Sequence, residues 1–362
     1  MAAPKIRVLV VDDSVTIRKL VSEALSADPE IEVIGSAANG RIALQKLVQS
    51  TPDVVTLDVE MPEMDGLATL VEIRKTHPTL PVLMFSSLTE RAASATLEAL
   101  AHGATDYVTK PSVQGGVAAA MQAVRDDLGR RIKALANRSV LRSIPPVPRW
   151  VGSEGKSPTP EVLAIGASTG GPNAIADVLL HLRQLPIPGI ITQHMPPMFT
   201  RLFAERLNAQ GPHRVREATE GDVLEAGLIL IAPGDYHMAF RREGTRTVVR
   251  LNQGPPENSC RPAVDVMLRS IVQIYGARIL SVILTGMGQD GLRGCEFVRA
   301  AGGQVIAQDE ASSVVWGMPG FVARANLAQV VAPLESIALQ ISLRVHEQSI
   351  SPTYPRVVHG PR

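Results

Sequence analysis

The chain has few cysteines, almost no excess of charge and no long apolar run. Its two cysteines, Cys260 and Cys295, are too few for a disulfide framework, and their separation does not match a zinc site. The formal net charge of +1, from 36 basic and 35 acidic residues, gives no electrostatic footprint for nucleic acid or anionic lipid. No apolar stretch reaches the roughly 18 residues that a membrane span needs. These absences predict a cytoplasmic protein with reduced thiols, no nucleic-acid partner and no membrane insertion.

The length of 362 residues exceeds what one hydrophobic core usually organises, so we expect two domains. Between Ile144 and Pro160 the chain has five prolines with glycine and serine, which forbid a continuous helix or a central strand. A basic stretch precedes this segment and favours the end of a helix over a contact surface. The sequence thus divides into a first domain, a Pro-rich linker, a second domain and a disordered tail, at 1–128, 129–159, 160–345 and 346–362.

In the first domain, β-branched runs alternate with amphipathic stretches, as in a parallel sheet with crossover helices. The five runs are Ile6–Val11, Ile31–Ala37, Val54–Leu57, Val82–Phe85 and Asp106–Thr109. Five βα repeats in about 125 residues match the flavodoxin-like α/β fold, a five-stranded parallel sheet of strand order 2-1-3-4-5.

Three carboxylates follow the runs that this strand order makes neighbours. Asp12 and Asp13 come after the first run and Asp58 after the third, so the side chains should converge at one edge of the sheet. Carboxylates so placed repel one another unless a cation is present, and oxygen ligands with open water positions suit Mg²⁺. We therefore predict a Mg²⁺ site at which Asp58 is the nucleophile that forms an aspartyl phosphate.

Further polar residues stand at the ends of the fourth and fifth runs. Ser86 is placed to hydrogen-bond a phosphoryl oxygen, and Lys110 is placed to pair with the charge of the phosphoryl group. Tyr107 could report the phosphorylation state by a change of rotamer. The segments VVDDS, LDVEMPEMDG, MFSSLT and YVTKP resemble the receiver domain of response regulators. The resemblance implies phosphorylation of Asp58 by a partner histidine kinase, with Asp12 and Asp13 as metal ligands.

The second domain begins with an apolar run that leads into a glycine-flanked serine, Ser168, in GASTGGP. A serine at such a strand-to-helix turn is exposed near backbone N–H groups that can stabilise negative charge. A phosphate or dinucleotide loop is the alternative. The dinucleotide loop is disfavoured because Ser168 stands where the second glycine of G-x-G-x-x-G would let a pyrophosphate approach. The segment therefore favours a nucleophilic serine.

A nucleophilic serine needs a base and an orienting acid. Two histidines, His194 and His237, follow apolar runs, and their positions alone do not decide between them. Asp290 lies in the glycine-rich segment TGMGQDG after a strand-like run. Other candidate acids are Asp235, Asp265 and Asp309. The order Ser…His…Asp differs from that of α/β-hydrolases, so we expect a different doubly wound α/β hydrolase domain with a mainly parallel sheet.

Several segments of the second domain resemble the catalytic domain of the CheB family of chemotaxis protein-glutamate methylesterases. They are AIGASTGGP, TQHMPP, FAERLN, IAPGDYHM, RPAVDV, ILTGMGQDG and AQDEASSVVWGMP. The resemblance implies Ser168 as nucleophile, His194 as base and Asp290 as orienting acid. It also places Thr169 and the Met287 backbone N–H beside the oxyanion, and makes His237 a candidate for the pocket wall.

The same resemblance implies an enzyme that hydrolyses glutamate γ-methyl esters of chemoreceptors, releases methanol and deamidates certain receptor glutamines. Hydrolysis would need no cofactor, and a CheA-like histidine kinase would phosphorylate the receiver. A non-catalytic receptor adaptor and a receiver-coupled esterase for another ester are the alternatives. Two positions depart from the family pattern, since Met198 stands where glycine is expected and Cys260 where histidine is usual.

Overall fold

The computed structural model describes residues 4–111, 116–136 and 158–346. Its first sheet is built from short, buried, β-branched segments: β1 (Ile6–Val11), β2 (Ile31–Ala37), β3 (Val54–Asp58), β4 (Val82–Ser86) and β5 (Asp106–Thr109). They form a parallel sheet in the order β2-β1-β3-β4-β5. The predicted flavodoxin-like receiver fold is confirmed. The carboxyl ends of β1 and β3 are neighbours at the edge where Asp12 and Asp58 lie.

The first four helices of this domain are fixed by side-chain caps. They are α1 (Val15–Ser26), α2 (Gly40–Gln49), α3 (Gly66–Thr76) and α4 (Glu90–Ala101). Each is preceded by a residue whose side-chain oxygen accepts a hydrogen bond from a first-turn amide, namely Ser14, Asn39, Asp65 and Thr89. Such caps satisfy amide groups that the helix itself leaves without a partner. The local sequence therefore sets where these helices begin.

The last receiver helix extends beyond the predicted boundary at residue 128. Helix α5 (Val117–Val124) passes through one π-helical turn (Arg125–Gly129) into α6 (Arg130–Ala136). Leu128, Ile132 and Leu135 are buried in the receiver core, which explains why the helix continues. The start of the segment 129–159 is thus helical. Residues 137–157 of the predicted linker, and the tail after residue 346, lie outside the described residues.

The second domain contains a seven-stranded sheet in which every strand pair is parallel. Its strands are β6 (Val162–Ala167), β7 (Gly189–Gln193), β8 (Arg214–Glu217), β9 (Leu228–Ile231), β12 (Ile279–Ile283), β13 (Gln304–Gln308) and β14 (Val330–Ala332). Their order is β14-β13-β12-β6-β7-β9-β8. The strand order reverses at β6, where ligands bind in doubly wound sheets. An antiparallel hairpin is formed by β10 (His237–Glu243) and β11 (Arg246–Asn252).

The described part of this domain contains six helices: α7 (Gly171–His181), α8 (Phe199–Gln210), α9 (Val264–Tyr275), α10 (Leu292–Ala300), α11 (Met318–Arg324) and α12 (Leu334–Val345). Within the described ranges, no helix has the length and apolar character needed to cross a bilayer.

One apolar cluster continues from the receiver into the second domain. It contains Leu97 and Tyr107 on the receiver side and Met195, Phe199 and Phe203 on the other. Helix α4 packs against α7 and α8. The two domains are therefore docked through the receiver face that carries α4 and β5.

Candidate functional site

The three receiver carboxylates converge as the strand order requires. Ligand oxygens of Asp12, Asp13 and Asp58 all lie within 4.8 Å of one another, with Asp12 and Asp58 buried and Asp13 exposed. An all-oxygen set of this size fits Mg²⁺, which prefers carboxylates and retains several waters. Burial, assisted by Asp12, raises the pKa of Asp58 to about 6 although Lys110 opposes the shift.

Lys110 joins this cluster, whereas Ser86 and Tyr107 face elsewhere. The Lys110 ammonium lies 2.9 Å from Asp12 Oδ2 and 2.8 Å from Asp58 Oδ2. The Ser86 hydroxyl accepts a hydrogen bond from the Thr96 hydroxyl at 2.8 Å. The buried ring of Tyr107 stacks on Phe199 of the second domain, with ring centroids 4.7 Å apart. Tyr107 therefore connects the receiver directly to the other domain.

Ser168 stands at the carboxyl end of β6, in the turn that leads into α7. Its amide donates to Thr285 O at 3.0 Å, and its carbonyl accepts from the Gly171 amide at 2.7 Å. Gly170 follows with φ +75°, a left-handed conformation that glycine adopts without steric cost. A β-carbon there would come within 2.5 Å of Val314. The glycines thus let the chain turn sharply and keep Ser168 at the sheet edge.

His194 follows the neighbouring strand β7, and Asp290 follows β12 on the other side of β6. The His194 Nε2 atom lies 2.8 Å from Asp290 Oδ2. Both side chains are nearly buried, with exposed fractions of 10% and 2%. The sequence-predicted serine, histidine and aspartate therefore come from the ends of three adjacent strands.

Asp290 is held by donors in addition to His194. The Val264 and Asp265 amides at the start of α9 donate to it at 2.7 and 3.0 Å, and the Gly291 amide donates at 3.0 Å. Burial by itself would raise the pKa of Asp290, but the bond from His194 and these amides hold it below the ordinary range. Asp290 is therefore kept ionised beside the imidazole.

A further partner of Asp290 is Asn258, which sequence reasoning did not identify. Its Nδ2 group donates to Asp290 Oδ1 at 3.1 Å and to Asp265 Oδ2 at 3.0 Å. Asp265, one of the competing acids, is thus a neighbour of Asp290, and the described chain shows no hydrogen bond between it and His194. No periodic pattern or motif in the sequence identifies Asn258, because its place beside Asp290 depends on a turn in which Asn258 itself has φ +51°.

A cleft of about 700 Å³ lies in front of these groups. Ser168, His194 and Met287 line it, whereas the Thr169 side chain is buried. Among the contacts of the described chain, the Ser168 hydroxyl has no hydrogen-bond partner. Catalytic contacts are often long without substrate, so this does not argue against a serine–histidine pair. His237, the rival base, is buried in β10, bonds Pro255 O at 3.0 Å and does not line the cleft.

The receiver supplies one wall of the same cleft. Its contributing residues are Tyr107, Val108, Thr109, Asp127, Arg130 and Arg131. Arg131 forms an ion pair with Asp106 and lies 3.4 Å from the Thr169 hydroxyl. Asn173 Nδ2 donates to Ala104 O at 3.3 Å, and Arg201 pairs with Glu90 at 2.7 Å. A docked receiver therefore narrows the approach to Ser168.

The two departures noted in the sequence have structural counterparts. Met198 precedes α8 with φ +72° and ψ −46°, a strained conformation for a residue with a β-carbon. The expected glycine would adopt it more easily. Cys260 lines the cleft, and its sulfur lies 3.4 Å from His194 Nδ1.

Comparison with known proteins gives two family matches. The model described as CheB methylesterase matches residues 163–341, and the model described as response regulator receiver domain matches residues 8–122. A protein-glutamate methylesterase/protein-glutamine glutaminase of a Nocardioides species is 51% identical over 360 residues, covering 95% of this chain and 97% of that protein. A protein of the same name from Trichodesmium erythraeum is 48% identical, covering 94% and 99%.

A solved structure is similar to the second domain. The crystal structure of the Thermotoga maritima CheB methylesterase catalytic domain covers 51% of this chain and 98% of its own, with 36% identity and a TM-score of 0.50.

Proposed function

Because this chain belongs to the CheB methylesterase family and carries a receiver domain, we propose that it is a phosphorylation-regulated protein-glutamate methylesterase and protein-glutamine glutaminase. Its substrates are γ-methyl esters, and certain γ-amides, on the cytoplasmic helices of methyl-accepting chemoreceptors. The main structural support is the buried His194–Asp290 pair, which lies beside Ser168 in one cleft.

Ser168 Oγ attacks the γ-carbonyl carbon, and its proton passes to His194. Since Nε2 is bonded to Asp290, the accepting atom is Nδ1. The carbonyl oxygen becomes an oxyanion, for which the Met287 amide is the assigned donor, with Thr169 beside it. Asp290 remains ionised and stabilises the imidazolium that forms.

His194 next donates this proton to the leaving group. The C–O bond of an ester breaks to release methanol, or the C–N bond of an amide breaks to release ammonia. In either case the product is the same acyl-enzyme on Ser168. His194 then takes a proton from water, the hydroxide attacks the acyl carbon, and glutamate leaves as Ser168 regains its proton. These steps need no cofactor.

Phosphorylation is assigned to Asp58. Asp12, Asp13 and Asp58 would hold Mg²⁺, which supplies positive charge that offsets the incoming phosphoryl group. An Asp58 carboxylate oxygen attacks the phosphorus of a phosphohistidine on a CheA-like kinase, and the histidine leaves. Lys110, already within 2.8 Å of Asp58, is placed to pair with the phosphoryl charge, and Ser86 must turn from Thr96 to reach it.

The docked receiver supports a regulatory role for this phosphorylation. Receiver residues line the cleft in front of Ser168, so a receptor helix has to displace them. Tyr107 is both a receiver switch residue and the partner of Phe199 across the interface. A rotamer change at Tyr107 breaks this stack and weakens docking.

Replacement of the nucleophile tests the proposed chemistry. Ser168→Ala should lower methanol release from methylated receptors by about 10⁶ in turnover while leaving the fold intact. His194→Ala should be similarly severe, because the base is lost. His237→Ala serves as the comparison and should be milder, since His237 does not line the cleft. Full activity in Ser168→Ala would disprove the nucleophile, and a reversed histidine ranking would disprove the base.

A further inference from the structure

A tight turn after β11 touches both members of the His194–Asp290 pair. Backbone hydrogen bonds join Glu257 and Cys260 in both directions, at 3.1 and 2.8 Å. From this turn, Asn258 reaches Asp290 Oδ1, and the Cys260 sulfur reaches His194 Nδ1. The turn therefore contacts the acid and the base through separate side chains.

The two nitrogens of His194 have different partners. Nε2 faces ionised Asp290 and therefore carries a proton, so Nδ1 is the nitrogen that exchanges one during the reaction. Cys260 Sγ is the described atom that hydrogen-bonds Nδ1, at 3.4 Å. Ser168 must donate to this same nitrogen to become a nucleophile. Cys260 and Ser168 thus compete for one position.

A second contact of Cys260 favours one direction of this hydrogen bond. Sγ also lies 3.4 Å from the Asn258 carbonyl oxygen, which can only accept. A thiol has one proton, and once it is donated to Asn258 O the sulfur faces Nδ1 with lone pairs. It can then accept from protonated Nδ1. The arrangement favours the imidazolium form of His194, with Asp290 at one nitrogen and sulfur at the other.

We propose that Cys260 is a positioning residue for the methylesterase reaction, which acts by stabilising protonated His194 and by holding Nδ1 away from Ser168. The inference rests on the proposed function, because it assigns the base to His194. Burial lowers the pKa of His194, but hydrogen bonds to Asp290 and Cys260 outweigh it and raise the pKa above the ordinary value. Cys260 therefore restrains the first proton transfer and favours the later donation to the leaving group.

Other charged groups lie near the His194 ring without hydrogen-bonding it. Asp265 is linked through Asn258, and Arg261 is paired with Asp235. From the receiver, the cleft-lining charges are Asp127, Arg130 and Arg131. Among the described residues, only Asp290 and Cys260 hydrogen-bond the ring nitrogens of His194. Comparisons should therefore use full-length protein in one phosphorylation state, so that the receiver charges stay the same.

The direct test is the pH dependence of kcat/KM for methanol release in Cys260→Ala and Cys260→Ser. Removal of the sulfur should move the acidic limb to lower pH by about half a unit or more, as for one lost hydrogen bond to a charged ring. Serine keeps an acceptor at this place and should restore the limb toward its original position. Cys295→Ala is the matched control, since Cys295 is fully buried and its sulfur contacts the Ser281 hydroxyl at 3.8 Å. An unchanged or upward-shifted limb in Cys260→Ala would overturn the proposal.

A second measurement does not depend on ester hydrolysis. Iodoacetamide alkylates a thiol by forming an S–C bond as iodide leaves, and the thiol proton passes to a base. The chain has two cysteines and Cys295 is buried, so the label reports on Cys260. His194→Gln should slow alkylation, because the protonated imidazole that hydrogen-bonds the sulfur and offsets its negative charge as the thiol proton leaves for solvent is lost, whereas Ser168→Ala should not. If the triad assignment failed, the rate of Cys260 alkylation would still depend on His194. Independence from His194, with the triad variants inactive, would overturn the role of Cys260 alone.

Discussion

Removal of the receiver should increase the methylesterase rate of the second domain. A fragment that starts near Pro158 retains Ser168, His194 and Asp290 but loses the receiver residues that line the cleft. The crystallised Thermotoga maritima catalytic domain supports independent folding of this part. The fragment should therefore hydrolyse receptor methyl esters faster than the unphosphorylated full-length protein.

The size of the increase follows from the docking contacts. The stacked Tyr107–Phe199 pair contributes about 0.5–1.5 kcal/mol beyond its buried area. The Asn173–Ala104 hydrogen bond contributes about 0.5–1.5 kcal/mol. A docking free energy of about 1–3 kcal/mol corresponds to a change of about 5- to 150-fold in the open fraction. Because the linker keeps the receiver close, even this modest affinity keeps most molecules closed.

The assay is methanol release from methylated receptor membranes, with fragment and full-length protein at equal concentration. Phosphorylation of the full-length protein should narrow the difference, because it weakens docking. Within the full chain, Glu90→Arg should also raise the rate by placing like charges together, and the added change Arg201→Glu should lower it again. Because both variants are full-length, a change in their rates reports on docking and not on truncation of the chain.

Equal rates for the fragment and the unphosphorylated protein would refute occlusion by the receiver. A slower fragment would mean instead that the receiver helps to bind or activate the substrate.

Two further predictions concern the receiver and a strained backbone position. Asp58→Asn should abolish labelling by a phosphodonor, and Mg²⁺ removal should do the same because the metal offsets the phosphoryl charge; labelling that survives in the variant would exclude this phosphosite. The free energy of unfolding of Met198→Gly, measured by denaturant titration, should exceed that of Met198→Ala by about 1 kcal/mol, because only glycine relieves the positive φ. In an ordinary position the alanine variant would be the more stable of the two.

The overall architecture could be predicted because it depends on local patterns. Runs such as Ile6–Val11 and Asp106–Thr109 have the bounds predicted, and the α/β fold with parallel sheets is confirmed. The family and the enzyme class are confirmed by the comparisons. The roles of Ser168, His194 and Asp290 stay predictions, although the structure brings the three together as the motifs suggested.

Contacts between distant turns could not be predicted in the same way. Asn258 reaches Asp290 only because its turn adopts a positive φ, which no sequence pattern reveals. Cys260 departs from the family pattern, but its contact with His194 Nδ1 depends on the orientation of the His194 ring. The docking of Tyr107 on Phe199 depends on a match between two surfaces that are far apart in the chain.

The π-helical turn at Arg125–Gly129 determines the helical phase of α6, which follows it. The buried positions Ala120, Val124, Leu128 and Ile132 recur every four residues. In a regular α-helix, at about 100° per residue, each such step overshoots a full turn by about 40° and three steps by about 120°. That excess rotation is close to the roughly 100° contributed by one residue. A single π-helical turn absorbs one extra residue in this way. The extra residue keeps Ile132 toward the receiver core, and the same rotation aims Arg130 and Arg131 into the cleft of the neighbouring domain.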